Sequence, residues 1–213
     1  MKILLCCALF CPQAIFAVDG IILIDQNRVL AGGITPGDLP GFPATLSQPG
    51  SYRLSGNLTV PSGQNGIEVS ARDITIDLNG FSITTPVQDA SVSSSRGIYF
   101  TGAGSGAAIR ILNGAIEGFP LSVYLSIGTS LCQHCTLEHL ILNWGLPGAS
   151  SGFSLGSYSL VRDVSSGTAD ISVLCPSVVS ETAARSVSVY FALPGDPNVN
   201  VGKCAFANNA TSF

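Results

Sequence analysis

A four-residue pattern recurs along the interior of this chain: small or polar, apolar, outward-facing, apolar. It reads Gly66-Ile67-Glu68-Val69, Gly97-Ile98-Tyr99-Phe100, Ser122-Val123-Tyr124-Leu125, Gly152-Phe153-Ser154-Leu155, Asp170-Ile171-Ser172-Val173 and Ser188-Val189-Tyr190-Phe191, at intervals of 31, 25, 30, 18 and 18 residues. Each copy is a period-2 strand with one buried face. None can bury that face alone, but stacked copies can. A flat sandwich has no need to refill one slot with one residue class at such intervals. A solenoid does, because each slot becomes a column along its axis. The pattern therefore predicts an all-β parallel β-helix. Ile67, Ile98, Val123, Phe153, Ile171 and Val189 would form one inward column, and Val69, Phe100, Leu125, Leu155, Val173 and Phe191 the next.

A second strand pattern lies between the copies. It reads Ile74-Thr75-Ile76, Ile109-Arg110-Ile111, Leu137-Glu138-His139-Leu140, Val161-Arg162-Asp163-Val164 and Val179-Ser180-Glu181-Thr182. Asn79, Asn113 and Asn143 follow the first three copies and are expected to form an asparagine ladder at a turn, each amide bonding its neighbour or backbone. Loop insertions such as Thr84–Arg96 lengthen the early intervals.

The composition agrees with a dry, stacked core. Charged residues are 10%, against about 25% in an ordinary domain. The formal charge is −4 and no basic cluster exists, which argues against a nucleic-acid partner. Past the first residues no apolar run reaches the roughly 18 residues of a membrane span. Met1-Lys2, the apolar Ile3–Phe10 and Ala14-Ile15-Phe16-Ala17 read as a signal peptide cut after Ala17. Leu5 and Phe10 are too bulky for a lipobox before Cys6 or Cys11. Removing the segment takes Lys2 away, so the charge becomes 8 − 13 = −5, and Cys132, Cys135, Cys175 and Cys204 remain. Export to an oxidising compartment lets these four thiols form two disulfides, one stapling a loop and one tying down the C-terminal rung.

The expected organisation is a signal peptide at 1–17, an N-terminal cap and first strands at 18–60, and β-helix rungs at 61–213, with a partial final rung after Val199. An open β-helix end exposes strand edges and must be covered. In the cap, Ile24–Ala31 predicts a short helix with Asp25 as N-cap and Gly32 as its stop.

Several stretches are recognisable together: Ile24-Asp25-Gln26, Gly32-Gly33-Ile34-Thr35-Pro36-Gly37-Asp38, Pro40-Gly41-Phe42-Pro43, Gly50-Ser51-Tyr52-Arg53-Leu54-Ser55-Gly56-Asn57-Leu58 and Ile74-Thr75-Ile76-Asp77-Leu78-Asn79-Gly80-Phe81-Ser82-Ile83. They resemble secreted bacterial right-handed parallel β-helix repeat-containing proteins, whose fold is similar to that of pectate lyases. The resemblance implies a single-stranded right-handed parallel β-helix with an N-terminal cap. It implies little about activity, since fold alone does not give function.

A lyase on such a scaffold needs clustered carboxylates and a base, and a hydrolase needs two carboxylates about 5–9.5 Å apart. The main outward column reads Glu68, Tyr99, Tyr124, Ser154, Ser172 and Tyr190, with one acid. Glu68, His139 and Asp163 are thus weak catalytic candidates. The pairs Glu138–Arg162 and His139–Asp163 read first as partly exposed ladders worth about 0–1 kcal/mol each. Asp73 and Asp77 read as turn residues. Tyr99, Tyr124 and Tyr190 are the ligand-binding candidates, because rings repeated in one outward slot can stack on sugars. Cys132-Gln133-His134-Cys135 lacks the His required after the second Cys for haem attachment, and His134 and His139 are the only histidines, too few for a zinc site. No metal or cofactor is expected. The expected protein is a secreted, monomeric, non-catalytic binding or structural module for polysaccharide or another cell-surface component. A polysaccharide lyase or glycoside hydrolase is the alternative.

Overall fold

The computed structural model describes residues 20–86, 95–102, 107–127, 130–131, 134–143, 153–155, 158–174, 178–190, 205–207 and 210–211, and from 166 onward mostly the backbone. The chain winds as a parallel β-solenoid whose coils carry three strand faces. The first face stacks Ala44–Leu46, Ile67–Val69, Arg96–Phe100, Leu121–Tyr124, Phe153–Leu155 and residues 171–173 and 187–189. The second stacks Ile21–Ile24, Gly50–Leu54, Ile74–Asp77, residues 109–112, 136–138 and 160–162, then Val178–Ser180 and Ala205–Ala207. The third stacks Leu58–Thr59, Ser82–Thr84, residues 115–117, 140–143, 164–166 and 183–184, then Ala210–Thr211. A small antiparallel pair, Ser126–Ile127 with Ser130–Leu131, stands outside these faces.

Alternation along each strand sends one set of side chains inward. Ile67, Ile98 and Val123 are level with one another and fully buried, as are Ile76, Ile111, Leu137, Val161 and Val179 on the second face. Tyr52 joins the inward side, and its hydroxyl donates to the Gln48 carbonyl at 2.7 Å while burial raises its pKa. The small slot of the repeat has a steric cause. A Cβ on Gly66 would lie 2.5 Å from the Gly97 carbonyl oxygen, and one on Gly97 would lie 2.3 Å from Ile116 Cγ2. At Gly66 and Gly97 adjacent coils approach too closely for a side chain, while Ser122 fills the same slot on the next coil.

Two expected columns change in register. Ile171 lies level with Val187 and Val173 with Val189, so the last interval is 16 residues, not 18. Tyr190 is therefore level with Leu174, and Ser188 takes the place beside Ser172. An irregularity between Ser166 and Asp170 absorbs the two residues. A slip of two keeps every side chain on its face, so the hydrophobic pattern cannot register it. The asparagine ladder changes likewise. Asn143 is level with Glu117, not with Asn113. The corner of Asn79 and Asn113 continues instead through His139, Asp163 and Glu181, all with positive φ. The shared requirement is a left-handed backbone, which Asn, Asp and His tolerate best.

Residues 1–19 lie outside the described residues, and so does the expected signal peptide. The helix spans Gln26–Ala31, with Asp25 accepting from the Arg28 N–H at 2.9 Å and Gly32 at φ 74° closing it. Ile24 belongs to a strand rather than to this helix. Four side chains from the cap bond the outer edges of the first strands. Gln26 makes a two-point amide pair with Thr59, donating to its carbonyl at 3.2 Å and accepting from its N–H at 2.9 Å. Arg28 donates to the Leu23 carbonyl at 3.0 Å. Asp38, 8% exposed, accepts from the Thr45 N–H at 2.7 Å and the Ile34 N–H at 2.9 Å. Thr35 completes that edge, donating to the Thr45 carbonyl and accepting from the Ser47 N–H. These groups do for each edge what another strand would do, and so block it to other chains.

Asp38→Ala is expected to lower stability by about 1–3 kcal/mol, because it orphans one buried and one partly buried N–H group. Urea unfolding measures that loss. Size-exclusion chromatography is expected to show larger species as the edge opens, whereas Asp38→Asn, which keeps one of the two acceptor oxygens, is expected to lose about half as much stability.

Candidate functional site

The outward side of the first face holds the tyrosines. Glu68, Tyr99, Tyr124, Ser154 and Ser172 lie level on successive coils, as the repeat predicts. The Tyr99 and Tyr124 rings are half-buried, 5.9 Å apart between centroids and tilted by 36°. The Arg96 guanidinium lies 4.3 Å from the Tyr99 centroid and 4.9 Å from that of Tyr124. Cation–π contact of this kind contributes about 0.5–1 kcal/mol and fixes both rings. Asn65 ties the same corner, accepting from the Arg96 N–H at 2.9 Å and donating to Glu68 Oε1 at 3.0 Å. Arg96 opens the strand that carries Tyr99, a signal present in the sequence but overshadowed by the tyrosine spacing. Tyr190 sits two places off this column.

The outward side of the second face is ionic. Glu138 is level with Arg162 and bonds it at 2.5 Å, and it also accepts from Arg110 Nη2 at 2.6 Å and Nε at 3.2 Å. The expectation of a partly exposed pair is corrected here, because the Glu138 side chain is 4% exposed and sits between two half-exposed arginines. Arg110 is level with Thr136, two residues from Glu138, and only its long side chain makes the diagonal reach. The hydrogen bond from Arg110 is the main reason that the Glu138 pKa is lowered; burial opposes it, and the charges of Arg110 and Arg162 add to it. His139 Nε2 and Asp163 Oδ2 lie 3.9 Å apart, and both side chains are at least half exposed. Asp77 accepts from Arg53 Nε at 3.0 Å and from the Asn79 N–H at 2.9 Å, a turn-capping role. Asn113 donates to the same carboxylate at 3.1 Å.

The structure thus gathers Tyr99 and Tyr124 on one face and His139 with Asp163 at a corner of the other, and leaves Glu68 apart from both candidates. Cys135 is fully buried, while Cys132, Cys175 and Cys204 lie outside the described residues. Among the described residues no three His, Cys, Asp or Glu side chains cluster to hold a metal, and no helix is long and apolar enough to cross a membrane. No protein-family model, curated protein or solved structure matches the chain.

Glu138→Gln is expected to destabilise the fold by about 1.5–3 kcal/mol at pH 7. The contribution of Glu138 is complete above its ordinary pKa of 4.5 and is lost as pH falls through the lowered folded value. The gap in urea midpoint between the native chain and the variant should therefore be constant above about pH 5 and shrink as pH falls below the ordinary value of 4.5. A gap that does not shrink would remove the carboxylate's charge from the account.

Proposed function

We propose that this chain is a secreted or surface β-helix acting as a non-catalytic binding and structural module for polysaccharide or another cell-surface component. The observation that carries the reading is the Tyr99–Tyr124 pair, level on adjacent coils and held by Arg96. Two rings fixed before binding lose little side-chain freedom when a sugar stacks on them. A rigid ladder of strands beneath them presents an extended surface suited to a polymer. The signal sequence, export, the likeness to secreted bacterial β-helix proteins and a pair of disulfides among Cys132, Cys135, Cys175 and Cys204 belong to the same proposal. A second reading, hydrolysis or elimination on a polysaccharide, is favoured by one observation, the 3.9 Å approach of His139 to Asp163, a base beside a carboxylate.

One assay separates the two. Residues 18–213 are incubated with neutral and acidic polysaccharides, with and without Ca²⁺, and both polymer cleavage and retention of protein on the polymer are recorded. Retention without cleavage is expected, with a loss of about tenfold or more in Tyr99→Ala/Tyr124→Ala, the scale of two stacking contacts. Cleavage that His139→Asn abolishes would favour the enzyme instead. Neither signal on any polymer would leave a structural role.

A further inference from the structure

A concave surface lies away from the tyrosines, at the corner that leads into the second face. It is a shallow, open groove of about 370 Å³, at the small end of the range for ligand sites. Three consecutive coils line it: Asp73-Ile74-Thr75, Ala108-Ile109-Arg110, and His134 with Thr136. The first residue of each explains the hollow. Asp73 and His134 carry side chains at the corner, and Ala108 between them carries only a methyl group. With coils about 4.8 Å apart, Asp73 and His134 stand on either side of a gap one coil wide.

The walls are polar in both senses. Asp73 accepts, the exposed Arg110 guanidinium donates, and the hydroxyls of Thr75 and Thr136 do either. Their charges cancel, since Arg110 and Arg162 are matched by Glu138 and Asp73. A free anion gains little from such a balance, and so does a free cation. One wall is also flat. The His134 ring stacks on Tyr158, one coil further on, with centroids 5.4 Å apart and planes within 13°. His134 and Ala108 both line the hollow.

We propose that this groove binds a neutral sugar, one pyranose unit, with adjacent hydroxyls shared between Asp73 and Arg110 and the ring's C–H face against His134. A carboxylate, a guanidinium, hydroxyls and a flat ring around a charge-balanced hollow are the complement of a polyol. The site lies on a different face from the tyrosine column and stands or falls separately from it.

The test uses the full chain, titrated with the methyl glycosides of glucose, galactose and mannose, and with inorganic phosphate as the anion control. Saturation-transfer NMR reports the bound sugar, and the His134 and Tyr158 ring signals report its place. At least one glycoside is expected to bind and to shift both rings, with phosphate failing to compete. Ala108→Leu fills the hollow without removing a polar group and should weaken binding about tenfold or more, as should Asp73→Asn, the scale of a lost charge-assisted hydrogen bond. Asn tolerates the positive φ of Asp73, so that variant keeps the corner's backbone should Ala108→Leu misfold. Tyr99→Ala/Tyr124→Ala should leave this binding unchanged. The proposal is overturned if no glycoside shifts the rings at millimolar concentration, if phosphate binds in its place, or if Asp73→Asn binds as tightly as the native chain.

Discussion

The parallel hydrogen bonds that join each coil to the next, in register, are the constraint on which the rest of this structure depends. They set level with level, and so turn a sequence slot into a column. Inward slots become continuous stacks, mostly of Ile, Leu and Val, with Tyr52 and Phe100 among them. Corner slots must meet the closest approach of the backbone, which is why Gly66 and Gly97 stand where a Cβ would collide. Other corners need a left-handed turn, and Asn79, Asn113, His139 and Asp163 supply it. Residues of different chemistry share one column because the backbone, not the side chain, makes the demand.

A stack of strands is open at its ends, and the N-terminal end is closed by side chains instead of by another strand. Gln26, Arg28, Thr35 and Asp38 bond the outer edges of the first strands on all three faces. Val29 and Ile34 cover the core beneath them. The helix that carries Gln26 and Arg28 has only six residues, too short to be stable alone. It is held by its cap at Asp25 and by the edges it serves.

The outer surface follows the same column logic with opposite chemistry. On the second face the buried carboxylate of Glu138 draws arginines from the coils on both sides. A buried acid without partners would be costly, and the two guanidinium groups offset that cost while keeping themselves half in water. On the first face Arg96 performs the equivalent service for two rings. Where one slot shrinks, as at Ala108, the columns on either side enclose a hollow. The tyrosine pair arises where neighbouring coils repeat, and the hollow where they differ.

The sequence by itself determined the solenoid, its inward columns, the short capped helix and the tyrosine pair. Each of these rests on period-2 alternation or on local backbone preference, both of which are written in consecutive residues. The tertiary structure decided what depends on register between coils. It moved Tyr190 two places from its expected column, set Asn143 beside Glu117, and brought Arg110 diagonally onto Glu138. A shift of two residues leaves every side chain on the same face, so hydrophobic pattern is blind to it. The buried state of Glu138 and the hollow at Ala108 were hidden for the same reason. Both are set by what stands one coil away, some 24 to 35 residues distant along the chain.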